Sequence, residues 1–318
     1  MAERVRVVLI ADAGERSGLG HLSRCGAVGV ALRARGVGLV CFAVGRKRRL
    51  VRDGLQWKPV GGLGEVPVDA GHAVVLDSYG IGPDEALRHF PGIPLAQFDD
   101  MGTARGPDLT VDAAAVEEEP AVPDRLVGLR YAAVRPRFWG HPPRRLRARV
   151  ERVLVTLGGG GRGEEAHAFA AAARAGAPGA EVRLVQGPHA DLRSPRGVRV
   201  VQSPAGLWDE LRAADLLVCA AGQTLLEGAV TGTPTVAVAL VENQRRQARR
   251  VYEHGAALVL DASALAELPD TVALLAGDLE RRTALSRSAQ EAVDGHGALR
   301  IAFRVHDLAR SRWASAGA

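Results

Sequence analysis

Two hydrophobic rhythms alternate along the chain. Short, mainly apolar runs occupy 5–10, 38–44, 73–77 and 94–98, and later 153–157, 181–186, 198–201, 215–219, 234–238 and 256–260. Between many of them, apolar residues recur every three to four positions, at 22–35, 164–175, 205–213, 224–231, 243–254 and 299–313. The first pattern predicts strands buried on both faces and the second amphipathic helices, which together imply α/β architecture around parallel sheets. The rhythm breaks between about 117 and 152, where Glu117-Glu118-Glu119-Pro120 and His141-Pro142-Pro143 bracket a stretch rich in proline and arginine. That composition predicts a connection between two units, and the arginines from Arg135 to Arg152 are expected on a solvated face.

Each half opens with a strand and a glycine-rich loop. We expect an N-terminal lobe over 1–147, a C-terminal lobe over 148–298, and a last helix over 299–318 returning to the first lobe. Ligands of open parallel sheets bind outside the carboxyl ends of the strands, so the cleft between the lobes is the expected binding place.

Composition narrows the classes. The 318 residues are 47% hydrophobic and 24% charged, ordinary globular values that exclude a disordered or low-complexity chain. No apolar run approaches the ~20 residues needed to span a bilayer, and the short run after the N-terminus is not a signal h-region. Stable membrane insertion is therefore not expected, and the cytoplasm is the expected compartment. Cys25, Cys41 and Cys219 lie in apolar segments and read as small buried hydrophobes. The formal charge is +5, and only Lys47 and Lys58 among the 41 basic residues are lysines. Arginine suits phosphate recognition. Aromatics at 4% are too few for a base-stacking platform, so nucleic acid is not an expected partner.

The first motif, Gly18-Leu19-Gly20-His21-Leu22-Ser23-Arg24, follows the first strand and opens the first helix. Glycines permit close backbone approach, and a helix N-terminus attracts anions. The dinucleotide fingerprint fails, because Ser23 stands at its third glycine. His21 is instead the candidate general base, since imidazole titrates near neutral pH. Asp12, closing the first strand, and Gly18 and Gly20 are candidate substrate contacts. Asp77-Ser78-Tyr79-Gly80-Ile81 and Phe98-Asp99-Asp100 each follow an apolar strand. Tyr79 and Asp99 are the catalytic candidates they contribute, although Asp and Ser also serve turns and caps.

In the second half, Gly158–Gly161 follow a strand but continue Arg162-Gly163-Glu164, which excludes a Walker loop. Gly159 and Gly160 remain candidate phosphate contacts. Gly222, Gln223 and Thr224 open a helix and are placed to hold a diphosphate through backbone N–H groups and the Thr224 hydroxyl. Glu227 is placed for ribose hydroxyls, and Asn243 and Gln244 open the next helix. No metal-ligand spacing is present, so neither metal nor cofactor is implied.

In this order the motifs resemble the UDP-sugar hydrolase of the pseudaminic acid pathway, and beyond it the transferase that adds N-acetylglucosamine during lipid II synthesis. The resemblance runs over roughly residues 5–300. It implies a glycosyltransferase-B fold of two Rossmann-like lobes with parallel sheets and a cleft between them, and a UDP-sugar as partner. It further implies that His21 activates the nucleophile and Tyr79 lines the sugar pocket. Gly222, Gln223 and Thr224 would hold the diphosphate, Glu227 the ribose, and Asn243 and Gln244 the sugar or phosphates. The reading is metal-independent cleavage of the anomeric C–O bond with inversion and water as nucleophile. The alternative is an inverting glycosyltransferase acting on a small acceptor, and a third reading is a non-catalytic nucleotide-binding module.

Overall fold

Residues 5–14, 19–116, 124–158, 163–187, 195–202 and 207–316 are described in a computed structural model. The chain divides into two units, one of Met1–Trp139 with Gly295–Ala318 and the other of Gly140–Asp294. The first unit contains β1 (Arg6–Asp12), α1 (Gly20–Ala34), β2 (Gly38–Val44), β3 (Leu50–Arg52), β4 (Leu55–Val60), β5 (Ala73–Asp77), α2 (Pro83–His89), β6 (Leu95–Phe98), β7 (Leu109–Asp112) and β8 (Arg125–Val127). Its sheet runs β3-β4-β2-β1-β5-β6-β7-β8. All pairs are parallel except β3–β4, a hairpin turned by Asp53 (φ 50) and Gly54 (φ 72). That two-residue turn needs positive φ at both positions, which Asp and Gly tolerate best.

The second unit contains β9 (Arg152–Thr156), α3 (Gly163–Gly176), β10 (Glu181–Gln186), β11 (Val198–Gln202), α4 (Trp208–Ala213), β12 (Leu216–Ala220), α5 (Gln223–Thr231), β13 (Thr235–Ala239), α6 (Glu242–Glu253), β14 (Leu258–Asp261), α7 (Leu268–Gly277) and α8 (Leu279–Ala292). Its six strands are all parallel, in the order β11-β10-β9-β12-β13-β14. The last helix, α9 (Gly297–Ala316), belongs to the first unit. Its Ala298, Ile301, Ala302, Val305 and Ala309 share one core with Leu9 of β1 and Val28 and Leu32 of α1.

Apolar strands explain both cores. Residues 7–11 of β1 are buried on both faces, as are Leu216–Ala220 and Thr235–Ala239. Helix α1 lies close on its sheet because Gly29 carries no side chain, and a Cβ there would overlap Leu9 and Leu55. The expected connection over 117–152 is a connection only in part. Leu126, Leu129 and Phe138 are buried in the first unit, carried by β8 and by short 3-10 turns at Leu129–Tyr131 and Pro136–Phe138, and Val134 is buried between those turns. Proline starts the second turn, where its missing N–H costs nothing, so proline density there hides core residues. Nor are the arginines of this stretch all solvated. The Arg144 guanidinium donates to the carbonyls of Leu211 (2.9 Å) and Ala214 and to the Thr233 hydroxyl (2.8 Å). Burial, helped by the charge of Arg212, pushes its pKa down to about 10. Arg147 pairs with Asp215 at 2.9 Å.

Candidate functional site

In the first sheet the strand order reverses between β1 and β5, which pair through Ala11 and Asp77. Chains leave such adjacent strands in opposite directions, opening the sheet's ligand end there. The adjacent strands β1, β5 and β6 deliver Asp12, Asp77 and Asp100 to that end, and α1 brings His21 and Arg24 one helical turn apart on a shared face. His21 Nδ1 lies 2.5 Å from Asp77 Oδ1, with the two side chains 5% and 1% exposed. A carboxylate only accepts, so this contact assigns a proton to Nδ1, and in the neutral imidazole that tautomer leaves the lone pair on Nε2. The phenol ring of Tyr79 stands edge-on to the imidazole, with centroids 4.4 Å apart and planes at 86°.

Arg24 clamps two carboxylates. Its Nε and Nη2 donate to Asp77 at 2.6 and 2.7 Å, and its Nη1 and Nη2 to Asp100 at 2.7 and 2.8 Å. The guanidinium also stacks over Phe98, 5.0 Å from the ring centroid. Asp100 in turn accepts the Tyr79 hydroxyl at 2.5 Å. Asp12 accepts the Ser78 hydroxyl at 2.7 Å and the Tyr79 N–H at 2.9 Å, and Ser78 Oγ accepts the N–H groups of Gly80 and Ile81. The turn after β5 is thus pinned from both sides. Burial works against ionisation of Asp77 and Asp100, but Arg24 overcomes it at both, helped by His21 at Asp77, and both carboxyls are held below the usual range. Burial likewise works against the Arg24 charge, and Asp100 and Asp77 overcome it, raising its pKa. The pattern is a protonated-Nδ1 histidine oriented by an ionised carboxylate, which itself is fixed by an arginine. Such a pattern is chemically able to orient a general base.

Asp99 is not part of this cluster. Its carboxylate accepts the backbone N–H groups of Thr103 (3.1 Å) and Ala104 (2.8 Å), which caps the turn after β6. Side chains alternate across a strand, so Phe98 and Asp100 face α1 while Asp99 points away from it. Asp100 is the residue that sequence reasoning missed, along with the role of Arg24. The alternation past Phe98 and the three-residue spacing from His21 were the available signals. Gly20 is the first residue of α1, and Gly18 lies outside the described residues.

The second unit offers a backbone site. Helix α5 starts at Gln223 with Gly222 as N-cap and no capping side chain, and a helix N-terminus favours an anion. Thr224 and Glu227 are buried on that helix, Glu227 with 3% exposure. Asn243 and Gln244 are half-buried in the first turn of α6. Gln244 Oε1 accepts the Leu240 N–H at 3.0 Å, and its Nε2 lies 3.6 Å from where a Gly222 Cβ would stand. Gln247, which the sequence did not single out, donates to the carbonyls of Ala221 (2.9 Å) and Gly222 (3.0 Å). It ties the loop to α6. Gly159 and Gly160 lie outside the described residues. The three cysteines are buried and reduced, and burial pushes the Cys41 thiol up to about 12. Among the described residues, no group of three or more His, Cys, Asp and Glu could hold a metal. No described helix is long and apolar enough to cross a membrane.

No family model matches the chain, and no curated protein does. Solved structures do. Spinosyn rhamnosyltransferase SpnG matches with TM-score 0.64 at 17% identity, covering 93% of this chain and 99% of that one. SpnG has also been solved with spinosyn aglycone and with thymidine diphosphate. The glycosyltransferase SsfS6 of Streptomyces sp. SF2575, complexed with thymidine diphosphate, matches with TM-score 0.61 at 17% identity, covering 96% and 100%. MurG of Acinetobacter baumannii matches with TM-score 0.57 at 17% identity, covering 96% and 100%. These likenesses concern architecture, and they establish that the chain has the glycosyltransferase-B fold, with two sheets of mainly parallel strands.

Proposed function

We propose that the protein is an inverting glycosyltransferase that moves a sugar from a nucleoside diphosphate to a small hydroxyl-bearing acceptor. The observation that carries this reading is the His21–Asp77 pair at 2.5 Å, fixed by Arg24 at the switch point of the first sheet. His21 Nε2 takes the acceptor proton as the acceptor oxygen attacks the anomeric carbon. The anomeric C–O bond to phosphate breaks, its electron pair leaves with the diphosphate, and configuration inverts. Asp77 stabilises the imidazolium that forms, as an orienting carboxylate does in other general-base systems. Tyr79 lines the sugar pocket. In the second unit, the N-terminus of α5 with Gly222, Gln223 and Thr224 would stabilise the departing diphosphate, with Glu227 for the ribose and Asn243 and Gln244 for the sugar or phosphates. The structures of SpnG and SsfS6 with thymidine diphosphate support a nucleoside-diphosphate donor, and the resemblance in sequence motifs favours uridine as its base.

One observation favours water as the nucleophile, making the protein a nucleotide-sugar hydrolase. Three of the motifs that carry the resemblance to the hydrolase contribute His21 and Arg24, Asp77 and Tyr79, and Asp100 to a single hydrogen-bonded cluster. Incubation with UDP- and TDP-sugars, with and without acceptor alcohols, separates the two. Diphosphate release only with acceptor, giving the inverted anomer, supports transfer, whereas free sugar released without acceptor supports hydrolysis. Retained configuration, or full turnover in His21→Ala, overturns the base assignment for both.

A further inference from the structure

The net charge of this chain is local. Of its 41 basic residues, Arg46, Lys47, Arg48, Arg49 and Arg52 stand within 46–52, a segment with no acid, and the remaining residues balance at 36 of each sign. Thus the whole excess of +5 resides in seven consecutive residues. Elsewhere the arginines are commonly paired, as at Arg24, Arg147, Arg183 and Arg249. Among the described residues, Arg46, Lys47, Arg48 and Arg49 have no ion-pair partner, and Lys47, Arg48 and Arg49 are exposed.

The place of the segment is defined at both ends. It leaves β2 where the Val44 carbonyl accepts the Ala13 N–H at 2.9 Å, beside the end of β1 that carries Asp12. It closes on Arg52, whose Nη2 donates to Ser23 Oγ at 2.8 Å in the first turn of α1, two residues from His21. Its β3 portion is the edge strand of the sheet, and there Val51 is 72% exposed.

We propose that residues 46–52 are a docking surface for an anionic phospholipid bilayer. Four consecutive positive charges at 46–49 exceed what one phosphate group neutralises and match a surface bearing many, whereas Arg52 is paired with Asp53 at 3.8 Å. Val51 supplies an apolar side chain for the boundary between headgroups and acyl chains. The segment holds no aromatic residue, which argues against single-stranded nucleic acid, whose bases require stacking partners. The proposal is independent of the chemistry at His21.

Co-sedimentation of the full chain with phosphatidylcholine vesicles, with or without phosphatidylglycerol, tests it. Binding is expected only with phosphatidylglycerol, and is expected to fade as salt rises. The triple variant Lys47→Glu/Arg48→Glu/Arg49→Glu is expected to bind at least about tenfold more weakly with an unchanged thermal midpoint, since all three side chains are exposed. The milder Arg48→Gln/Arg49→Gln is expected to fall between it and the parent. Equal binding to both vesicle types, undiminished binding by a folded triple variant, or retention on heparin or an oligonucleotide without vesicle binding each overturns the proposal.

Discussion

The two sheets prepare their ligand ends by different means. At the ends of β1, β5 and β6, side chains do the work: His21 and Arg24 of α1, Asp77 of β5, and Tyr79 and Asp100 of the turns after β5 and β6 lock one another in a largely buried network. At the ends of β12 and β13, backbone does it: a glycine N-cap and a helix start with no capping side chain, with Gln247 holding the loop to α6 and Gln244 bracing the turn after β13. A buried ionic network is rigid and depends on every member, because a charge left alone in low dielectric is costly. A helix terminus is a property of many peptide groups at once and tolerates side-chain change. The first sheet is therefore suited to orienting a proton acceptor, and the second to receiving charge.

The contrast is sharpest at Asp77. Replacing it with alanine strands Arg24 and removes the partner of His21, and is expected to destabilise the protein by ~3–5 kcal/mol, read from the urea midpoint. An unchanged midpoint would break the distinction between the two ends. His21→Ala should lower kcat by about 10²–10⁴-fold while leaving the calorimetric affinity for a nucleoside diphosphate as it was. In the second unit, Gly222→Ala should fold normally, since its Cβ meets Gln244 at an ordinary 3.6 Å. Thr224→Val should weaken diphosphate binding by about tenfold, the worth of one hydrogen bond to a charged group.

Acidity separates the ends more gently. Asp77 and Asp100 have folded pKa values below their unfolded ones. Each stabilises the fold above the unfolded value of about 4, and that contribution drains away as pH falls toward the lowered values. Hydrogen exchange measured at decreasing pH should accordingly show α1 and the turn after β5 losing protection ahead of α5. Smallest of all, Asp99→Asn should cost about 1 kcal/mol through its turn and leave kcat nearly unchanged, whereas Asp100→Asn, with Arg24 and Tyr79 released, should reduce it.

Long apolar runs made β1, β2, β5, β6 and most strands of the second unit legible. The hairpin β3–β4 was not, because Leu55-Gln56-Trp57-Lys58 alternates between buried and exposed positions, the signature of a strand with one solvated face. Strand β7, Leu109-Thr110-Val111-Asp112, interleaves polar with apolar residues, and β8 is only three residues long, so neither forms an apolar run. At the site, His21 and Tyr79 were legible from their loops. Asp99 and Asp100 were separable only by strand alternation, and Arg24 needed the partner carboxylates of β5 and β6, which lie more than fifty residues away.

The attachment of α9 to the first unit has a consequence for biogenesis. Leu9, Val28 and Leu32 share their core with Ile301 and Val305, so the part of that core which α9 completes stays open while the ribosome is still making residues 140–294. Residues 140–294 are contiguous and suffer no such delay. The contiguous unit is thus free to complete its core before the split one, in which α1 waits for α9.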